Sequence, residues 1–600
     1  MFKPLLVFSV LLSLVHGFEL DKKRYMDIPD IKEGMKGYGK TVFKGTKIER
    51  FKVEVVSVLR KIRPRRNLIL VRATHPILKT SGIIAGMSGS PVYIKNRMIG
   101  AIGYTWKFAE EALGGVTPIG EMLELVRESE DKDVARSRPS QAELFVDLNR
   151  FTSSLPGAEG RRWRSILSEA QVMQTIRTPI SLIGFPDFAR KRLQGHFASD
   201  NLLFVPGGEI GPGDAQNKAV KNAKLEPGAV IGVQLIRGDA QASGIGTVTE
   251  VVGDKVLAFG HPMFGFGSVE LPMTVGYVHG VMPSQVMSFK FGSSIKVMGA
   301  IRSDEEPGIM GKLGPPPVMI PVEVEVDWSY NGRKDRFQYE VLDHPFFTAQ
   351  LADSVIASSL LNRSNLPQET TLSIETELLF RNHEPIRLGN VFSAPNPRQS
   401  VSGALNLVFR TVHVLLNNDF GEFDIKKIST KFHVDQERRY AAVVAVRPRR
   451  NEVAPGESLE VVAEIYPYQK GPQPMTFKLE IPQNAPEGIA QLYVVDPTIR
   501  LYYERRERPN RLRAQSVEQF LEVVTRREDL RNLYLRLVLS GGGLAVKGVE
   551  LPSLPNSILV ALRPPSATGT NLVREVIESR HQTPWIIKSH HRLPITIRRK

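Results

Sequence analysis

Short hydrophobic stretches separated by turn residues fill most of the chain, which is typical of β-rich proteins. Phe51, Val53 and Val55 alternate with charged residues, which predicts a strand with one buried face. Residues 67–74, NLILVRAT, form a continuous apolar run and predict a second strand. Residues 81–104, SGIIAGMSGSPVYIKNRMIGAIGY, predict strand, Gly/Ser turn, strand, turn and strand.

Three later stretches carry further secondary-structure signals. Residues 246–262, GTVTEVVGDKVLAFGHP, predict a hairpin that turns at Gly253 and Asp254. Residues 158–176, AEGRRWRSILSEAQVMQTI, are polar and predict a helix. Residues 344–364 predict the clearest helix, because apolar residues recur at helical spacing and give it one buried face. These apolar residues are Phe347, Leu351, Val355 and Leu360.

Composition places the chain among globular proteins of several domains. It has 600 residues, 42% hydrophobic and 24% charged, so three to five domains are expected. The net charge of +16 is a mild excess over this length, and the basic runs lack interleaved aromatic residues or a nucleic-acid-binding module. We therefore predict no nucleic-acid partner. A loose attraction to anionic membrane or cell-surface polymers stays open.

The N-terminal residues 1–17, MFKPLLVFSVLLSLVHG, indicate export. One early lysine, an apolar stretch and a small residue at Gly17 predict a secretory signal peptide that is cleaved there. The alternative, a membrane anchor, needs a longer apolar run, and we predict no integral membrane segment after cleavage. The chain has no cysteine, which excludes disulfides and fits a bacterial periplasm or cell surface.

The turn GMSGSP, residues 86–91, is the main candidate for chemistry. A nucleophilic serine needs a tight turn of small residues, so that its Oγ projects and backbone N–H groups face a developing oxyanion. This turn resembles the GDSGGP nucleophile turn of chymotrypsin-like peptidases. That likeness implies Ser88 as nucleophile and the N–H groups of Gly86 and Ser88 as oxyanion hole. The alternative is a β-turn without chemistry.

The flanking sequence makes the likeness more specific. The stretches TVFKGTKIERFKVEVVSVL, LKTSGIIAGMSGSPVY, NRMIGAIGYTWKF and GGVTPIGEML together resemble the SpoIVB (stage-four sporulation protein B) serine peptidase family over residues 34–128. The likeness continues at residues 244–267, which resemble the histidine-bearing segment of that family. The resemblance implies that His261 is the general base for Ser88, and that the domain is a trypsin-like double β-barrel.

The chain departs from the family pattern in two ways. In the family the histidine segment precedes the serine segment, whereas here His261 follows Ser88, so the domain is expected to be permuted. The family's acid precedes the serine by about fifteen residues, but Ala73 stands there. Asp254 and Asp239 are weak candidates for an acid that orients the histidine, since Gly-Asp pairs are common in turns.

The fold class that we predict is mainly β and multidomain. It combines the double-barrel peptidase-type domain and its inserted α/β segment with an immunoglobulin-like β-sandwich and a small C-terminal α+β domain. The expected boundaries are 1–17 signal peptide, 18–135 serine-bearing segment, 136–205 mixed helical insertion, 206–330 histidine-bearing segment, 331–435 accessory α+β domain, 436–500 sandwich and 501–600 C-terminal domain.

These features together predict an exported serine endopeptidase. Its substrates would be peptide bonds in envelope proteins or in the chain itself, as the family resemblance implies. No phosphate loop, dinucleotide fingerprint or metal-binding motif occurs, so we predict no cofactor and no metal. The alternative is a peptidase fold without catalysis that serves as a scaffold or binding protein of the envelope, which the alanine at residue 73 favours.

Overall fold

A computed structural model describes residues 20–106, 109–128, 173–197, 201–362, 366–507, 514–540, 542–546, 549–551, 554, 557–558 and 570–599. The expected signal peptide and most of the expected insertion lie outside the described residues. The chain divides into two compact units. The first unit comprises residues 1–183, 199–235 and 242–317, and the second comprises residues 184–198, 236–241 and 318–600.

Up to residue 317 the described chain is mostly strand. The strands are β1 (Lys36–Val42), β2 (Ile48–Arg63), β3 (Arg66–Thr74), β4 (Pro91–Ile94), β5 (Arg97–Trp106), β6 (Leu113–Pro118), β7 (Met173–Thr175), β8 (Thr178–Ile183), β9 (Leu202–Pro206), β10 (Val230–Gly238), β11 (Gln241–Val252), β12 (Lys255–Ala258), β13 (Gly267–Met282), β14 (Phe289–Glu305) and β15 (Gly308–Leu313). The helices are α1 (Pro76–Ser81), α2 (Ile119–Glu128), α3 (Asp187–His196), α4 (Pro212–Gln216) and α5 (Lys218–Lys221), with a 3-10 turn at Ile28–Asp30.

From residue 318 onward strands again dominate. They are β16 (Met319–Trp328), β17 (Arg333–Leu342), β18 (Thr371–Phe380), β19 (Ile386–Ser393), β20 (Ile425–Asp435), β21 (Tyr440–Pro448), β22 (Glu452–Val453), β23 (Ser458–Pro467), β24 (Gln473–Glu480), β25 (Gly488–Val495), β26 (Asn532–Val538), β27 (Gly543–Val546), β28 (Val549–Leu551), β29 (Thr570–Val573), β30 (Val576–Gln582), β31 (Ile586–Lys588) and β32 (His590–Ile597). The helices are α6 (Thr348–Leu361), α7 (Pro397–Leu416), α8 (Pro497–Glu507) and α9 (Val517–Thr525).

Two closed circuits of six strands build the first unit. The first circuit runs β4-β1-β2-β3-β6-β5 and closes through the β4–β5 pairing, and β7 adds to β5. The second runs β10-β13-β14-β15-β12-β11 and closes through the β10–β11 pairing, and β8 and β9 extend it beyond β11. Alternate residues of β2, namely Phe51, Val53 and Val55, point into the apolar core of the first barrel, as their alternation predicts. The double β-barrel expected from the sequence is confirmed.

The second unit contains a mixed sheet with helices and a two-sheet sandwich. The mixed sheet has the order β19-β18-β20-β16-β17, in which β16 and β20 are parallel. The sandwich pairs the sheet β24-β23-β21-β31 with the sheet β22-β32-β25-β26-β30, and the two sheets share one apolar core. That core joins residues 441–494 to residues 533–597, so the boundary expected at residue 500 falls inside one packed core.

Two helix predictions differ from the structure. Helix α6, Thr348–Leu361, lies within the predicted residues 344–364. Its buried positions lie on all sides and include Gln350 and Asp353, so the helix has no solvent face. The reason is that α6 packs against the mixed sheet on one side and against α3 and α7 on others. Of the predicted helix 158–176, the described residues Met173–Thr175 form the strand β7 instead. Its pairing with β5 overrides the local helical preference.

None of the described helices is both long enough and apolar enough to cross a bilayer.

Candidate active site

Ser88 lies in the loop 82–90, which connects α1 to β4 in the first unit. The strand predicted at the start of this stretch is a loop, and only Ala85 forms an isolated bridge, to Phe289. Gly86 and Gly89 both have positive φ, +94° and +92°. Only glycine adopts these values at low cost, so the two glycines set the sharp turns on either side of Ser88.

The backbone of this loop leaves two donors free. The N–H groups of Met87 and Gly89 donate to the carbonyls of Ile84 (2.9 Å) and Ile102 (2.7 Å). Within the described residues, by contrast, the N–H groups of Gly86 and Ser88 donate no hydrogen bond. Unsatisfied N–H groups in a buried turn are rare, and two of them flanking Met87 can receive a negatively charged oxygen.

His261 lies in a strained turn that follows β12. Phe259 and Gly260, the two residues before it, both have left-handed backbone, with φ of +69° and +65°. A fully buried phenylalanine in that conformation costs about 1–2 kcal/mol. The hydroxyl of Thr117 donates to the Gly260 carbonyl at 2.5 Å and helps to hold the turn. Backbone strain maintained by its surroundings is typical of functional sites.

The hydrogen bond of the His261 ring defines its tautomer. Nδ1 lies 2.8 Å from the carbonyl oxygen of Pro262, so Nδ1 carries the proton and donates. Nε2 therefore keeps its lone pair. Burial lowers the pKa of His261 to about 4, which leaves the ring neutral at pH 7. The ring thus has the protonation state that a general base requires.

The serine turn of the first barrel packs directly on the histidine-bearing region of the second. The N–H of Thr247 donates to the carbonyl of Ser88 at 2.8 Å. A β-carbon on Gly89 would lie 1.9 Å from the carbonyl oxygen of Thr247 and 2.4 Å from the nitrogen of Phe259. The residues next to Ser88 and the region that leads to His261 are therefore in main-chain contact. The chain order is reversed, but the two segments meet within one unit.

The two reactive atoms are enclosed but not bonded to each other. Ser88 and His261 are both 0% exposed. Within the part of the chain that the structure describes, Ser88 Oγ and His261 Nε2 have no hydrogen-bond partner. The atoms are thus uncommitted to structural bonds, and a direct serine–histidine bond is not formed in this state.

The acids suggested by the sequence do not contact His261. Ala73 is a buried residue of β3. Asp254 is 54% exposed and forms an ion pair with Lys312 at 3.5 Å. Asp239 belongs to the second unit, where it accepts from the N–H of Gln338. The group that orients His261 is instead the carbonyl of the next residue.

Asp304, a residue that the sequence analysis missed, holds the loop after His261. Its carboxylate accepts from the N–H groups of Met263 (2.8 Å), Phe264 (2.7 Å) and Gly265 (3.0 Å). Burial raises the pKa of Asp304 to about 6, and the three N–H donors oppose this rise. The loop that carries the Pro262 carbonyl is therefore anchored by a buried carboxyl group.

Lys290 is a second buried ionisable group that the sequence analysis missed. Its Nζ donates to the hydroxyl of Thr41 at 2.8 Å and lies 3.4 Å from that of Thr247. The Thr247 hydroxyl in turn donates to the carbonyl of Gly86 at 3.0 Å. Burial lowers the pKa of Lys290 to about 7. This relay connects a buried amine to the backbone of the turn that carries Ser88.

We expect Lys290 to make stability depend on pH. In the unfolded chain the amine titrates near its ordinary pKa of 10.5, and in the folded chain near 7. Between these values the unfolded state binds more protons, so the free energy of unfolding rises with pH by up to about 1.4 kcal/mol per pH unit. Below about pH 7 both states are protonated and this contribution is flat.

The measurement is urea unfolding of the Lys290→Met variant from pH 7 to 10. The variant should lose the rise in stability that the unmodified chain shows over this window. Lys296→Met is the matched control, because Lys296 lies exposed on the same strand, and it should keep the rise. Equal pH dependence in the Lys290→Met variant and the unmodified chain would contradict the assignment.

Across the described ranges, no three His, Asp or Glu side chains come close enough to hold one ion together.

Comparison with known proteins identifies part of the first unit. Residues 23–123 match the family model of the SpoIVB peptidase S55, a span that includes the Ser88 turn and ends well before His261. No curated protein and no solved structure matches the chain. The match covers all six strands of the first barrel and its GMSGSP turn. The match supports a SpoIVB-type serine peptidase domain over residues 23–123.

Proposed function

We propose that the chain is an exported serine endopeptidase that cleaves envelope proteins or itself. Ser88 is the nucleophile, His261 is the general base, and the N–H groups of Gly86 and Ser88 form the oxyanion hole. The observation that carries the proposal is the pair of buried, uncommitted atoms, Ser88 Oγ and His261 Nε2, on two turns that pack together. The family match over residues 23–123 supports the reaction class.

The reaction follows from the protonation state of the site. The lone pair on Nε2 takes the proton of the Ser88 hydroxyl as Oγ attacks the carbonyl carbon of the scissile peptide bond. The carbonyl oxygen becomes an oxyanion that accepts from the two free N–H groups. His261 then gives the proton to the leaving amine, and water hydrolyses the acyl-enzyme through the same steps.

The Pro262 carbonyl takes the place that a carboxylate has in a Ser-His-Asp triad. It accepts from Nδ1–H and so fixes the ring and its tautomer, as the acid does. A carbonyl dipole stabilises the imidazolium less than a full negative charge does. Asp304 contributes by position, since it accepts from the adjoining amides from Met263 to Gly265 and so holds the loop that carries the Pro262 carbonyl.

The finer parts of the proposal rest on the sequence. Residues 1–17 support export, and the absence of cysteine supports an envelope location. The partners are protein or peptide substrates, because the family consists of peptidases.

Because Ser88 is 0% exposed, the test uses the purified mature protein with Ile176→Pro, which removes a main-chain hydrogen bond beside the Ser88 turn and is expected to open the site. This protein is labelled with a fluorophosphonate, and the label is located by peptide mass spectrometry. We expect the label on Ser88, because only an activated hydroxyl attacks this probe. Ser90 is the internal control, because it stands two residues away, is equally buried and also has no hydrogen-bond partner among the described residues. Labelling of Ser90 or of other serines without Ser88 would contradict the assignment.

A scaffold without catalysis is the second candidate function. The observation that favours it is the missing hydrogen bond between Ser88 and His261. The same experiment separates the two functions, since a scaffold would leave Ser88 unlabelled and would hydrolyse no peptide under any condition that exposes the site.

A further inference from the structure

A buried segment of the same chain, around Thr178, lies beside the Ser88 turn. Thr178 is 0% exposed, and its Oγ1, like Ser88 Oγ, Ser90 Oγ and His261 Nε2, has no hydrogen-bond partner among the described residues. Buried hydroxyls without partners are rare in folded proteins. A peptidase site must admit an extended peptide, so the position of the segment around Thr178 bears directly on the proposed function.

The strand β5 presents one edge to both the Ser88 turn and this segment. Along that edge β4 pairs with the first half of β5, and Gly89 and Ser90 then bond to Ile102 at 2.7 and 3.0 Å. The next bond runs from the N–H of Ile176 to the carbonyl of Gly103 at 2.9 Å. Beyond it β7 pairs antiparallel with residues 104–106. The segment thus continues the β5 edge at the point where the Ser88 turn leaves it.

After Ile176 the segment runs across the Ser88 turn towards the second barrel. A β-carbon on Gly86 would lie 3.3 Å from Cγ of Pro179. A β-carbon on Gly244, in β11, would lie 3.3 Å from Cγ2 of Thr178. The strand β8 then continues beside β11. The segment therefore contacts both barrels on either side of the serine turn.

We propose that residues 173–179, here called the strap, occupy the peptide-binding edge of the site and hold it closed. The ligand that replaces the strap is an extended peptide that adds antiparallel to Gly103–Trp106 of β5. This inference rests on the proposed function and specifies its substrate class and its regulation. Main-chain pairing along a strand edge supplies affinity, and side-chain pockets supply selectivity.

The strap also indicates the side chain that the edge accepts. Ile176 is 1% exposed and belongs to the apolar core of the first barrel. Because Ile176 bonds to Gly103, an incoming peptide that pairs in the same register places its own side chain in that apolar site. The substrate class is therefore an extended peptide with an aliphatic residue at the position of Ile176.

The test uses the absence of cysteine from the chain. A Ser88→Cys variant has one thiol, and its alkylation rate by iodoacetamide measures access to the site without any need for catalysis. We expect strong protection in the Ser88→Cys chain. Adding Ile176→Pro removes the N–H that bonds Gly103, so alkylation should become at least 100-fold faster. Ile176→Val keeps both the N–H and the branched side chain, and it should preserve protection.

A peptide with the strap sequence MQTIRTP tests the ligand class. In excess it should restore protection to the Ser88→Cys, Ile176→Pro chain, whereas a scrambled peptide should not. Fast alkylation of Ser88→Cys alone would overturn the proposal, as would continued protection after Ile176→Pro. Equal protection by the two peptides would overturn the substrate class.

A buried thiol elsewhere controls for unfolding. Val116→Cys, in the core of the first barrel, should stay protected in the Ile176→Pro background. If it becomes reactive, Thr175→Gly replaces Ile176→Pro and the same comparison decides. The strap and the catalytic function fail separately. If the Ser88→Cys, Ile176→Pro chain is alkylated rapidly, but the Ile176→Pro chain takes no fluorophosphonate on Ser88, the peptidase function is refuted and the strap is supported.

Discussion

The His261→Gln variant is expected to label with fluorophosphonate, and to hydrolyse peptides, on the order of 10⁴–10⁶-fold more slowly than the unmodified chain. Glutamine has similar length and polarity but cannot take the proton of Ser88. The neutral ring, with its proton on Nδ1 and its lone pair on Nε2, is the only feature of the turn that performs this transfer. The measurement is the labelling rate of Ser88, with both chains carrying the same strap substitution so that access is equal.

His279→Gln is the matched control for this prediction. His279 lies on β13 in the same unit, and its Nε2 is 2.7 Å from the hydroxyl of Ser293. It therefore forms a serine–histidine contact of ordinary length that the proposed mechanism does not use. We expect its loss to leave the labelling rate of Ser88 within a few-fold. Comparable loss from both substitutions would show that His261 acts only through packing.

Local patterns that determine their own geometry could be predicted from the sequence. The alternation around Phe51, Val53 and Val55 gave a strand of the first barrel, and the Gly253-Asp254 pair gave the turn between β11 and β12. The double barrel followed from the family resemblance. Its motif is a short turn of small residues, which needs no information from distant parts of the chain.

The burial of groups that act through tertiary contacts could not be predicted from the sequence. Asp304 stands in RSDEEPG, a charged run that resembles a solvated turn, yet its carboxylate is buried against three backbone amides. Lys290 stands between two phenylalanines in a strand, where alternation predicts a solvent-facing lysine. Burial of both depends on which strands close the second barrel. No spacing along the chain specifies that closure.

The secondary structure of the strap also depends on a tertiary contact that the sequence does not reveal. The polar run that ends at Ile176 favours a helix by propensity, and a strand forms because β5 offers an edge beside the Ser88 turn.

The acid that the family pattern predicts beside His261 is missing for a related reason. The family pattern predicts an acidic side chain, whereas a backbone carbonyl orients His261. A single sequence cannot reveal which carbonyl faces an imidazole.

Gly89→Ala is expected to cost about 4 kcal/mol or more of the free energy of unfolding, a loss in the exceptional range for one residue. Every backbone group of Gly89 is engaged: its N–H donates to Ile102 at 2.7 Å, and its carbonyl accepts from the Thr249 hydroxyl at 2.9 Å. The added methyl would lie 1.9 Å from the Thr247 carbonyl oxygen. Because that oxygen belongs to backbone that also bonds Ser88, relief of the clash must separate the two barrels.

The cost of the clash can be separated from the cost of positive φ with Gly253→Ala. Gly253 has φ +63°, but no atom lies within 4 Å of an added β-carbon, so about 1–2 kcal/mol is expected. Urea unfolding of both variants gives the difference. A loss for Gly89→Ala no greater than that for Gly253→Ala would mean that the barrels can part at this point without cost. The Ser88 turn would then not depend on the second barrel for its position. A large difference, together with loss of fluorophosphonate labelling, would make this main-chain contact the feature that holds Ser88 near His261.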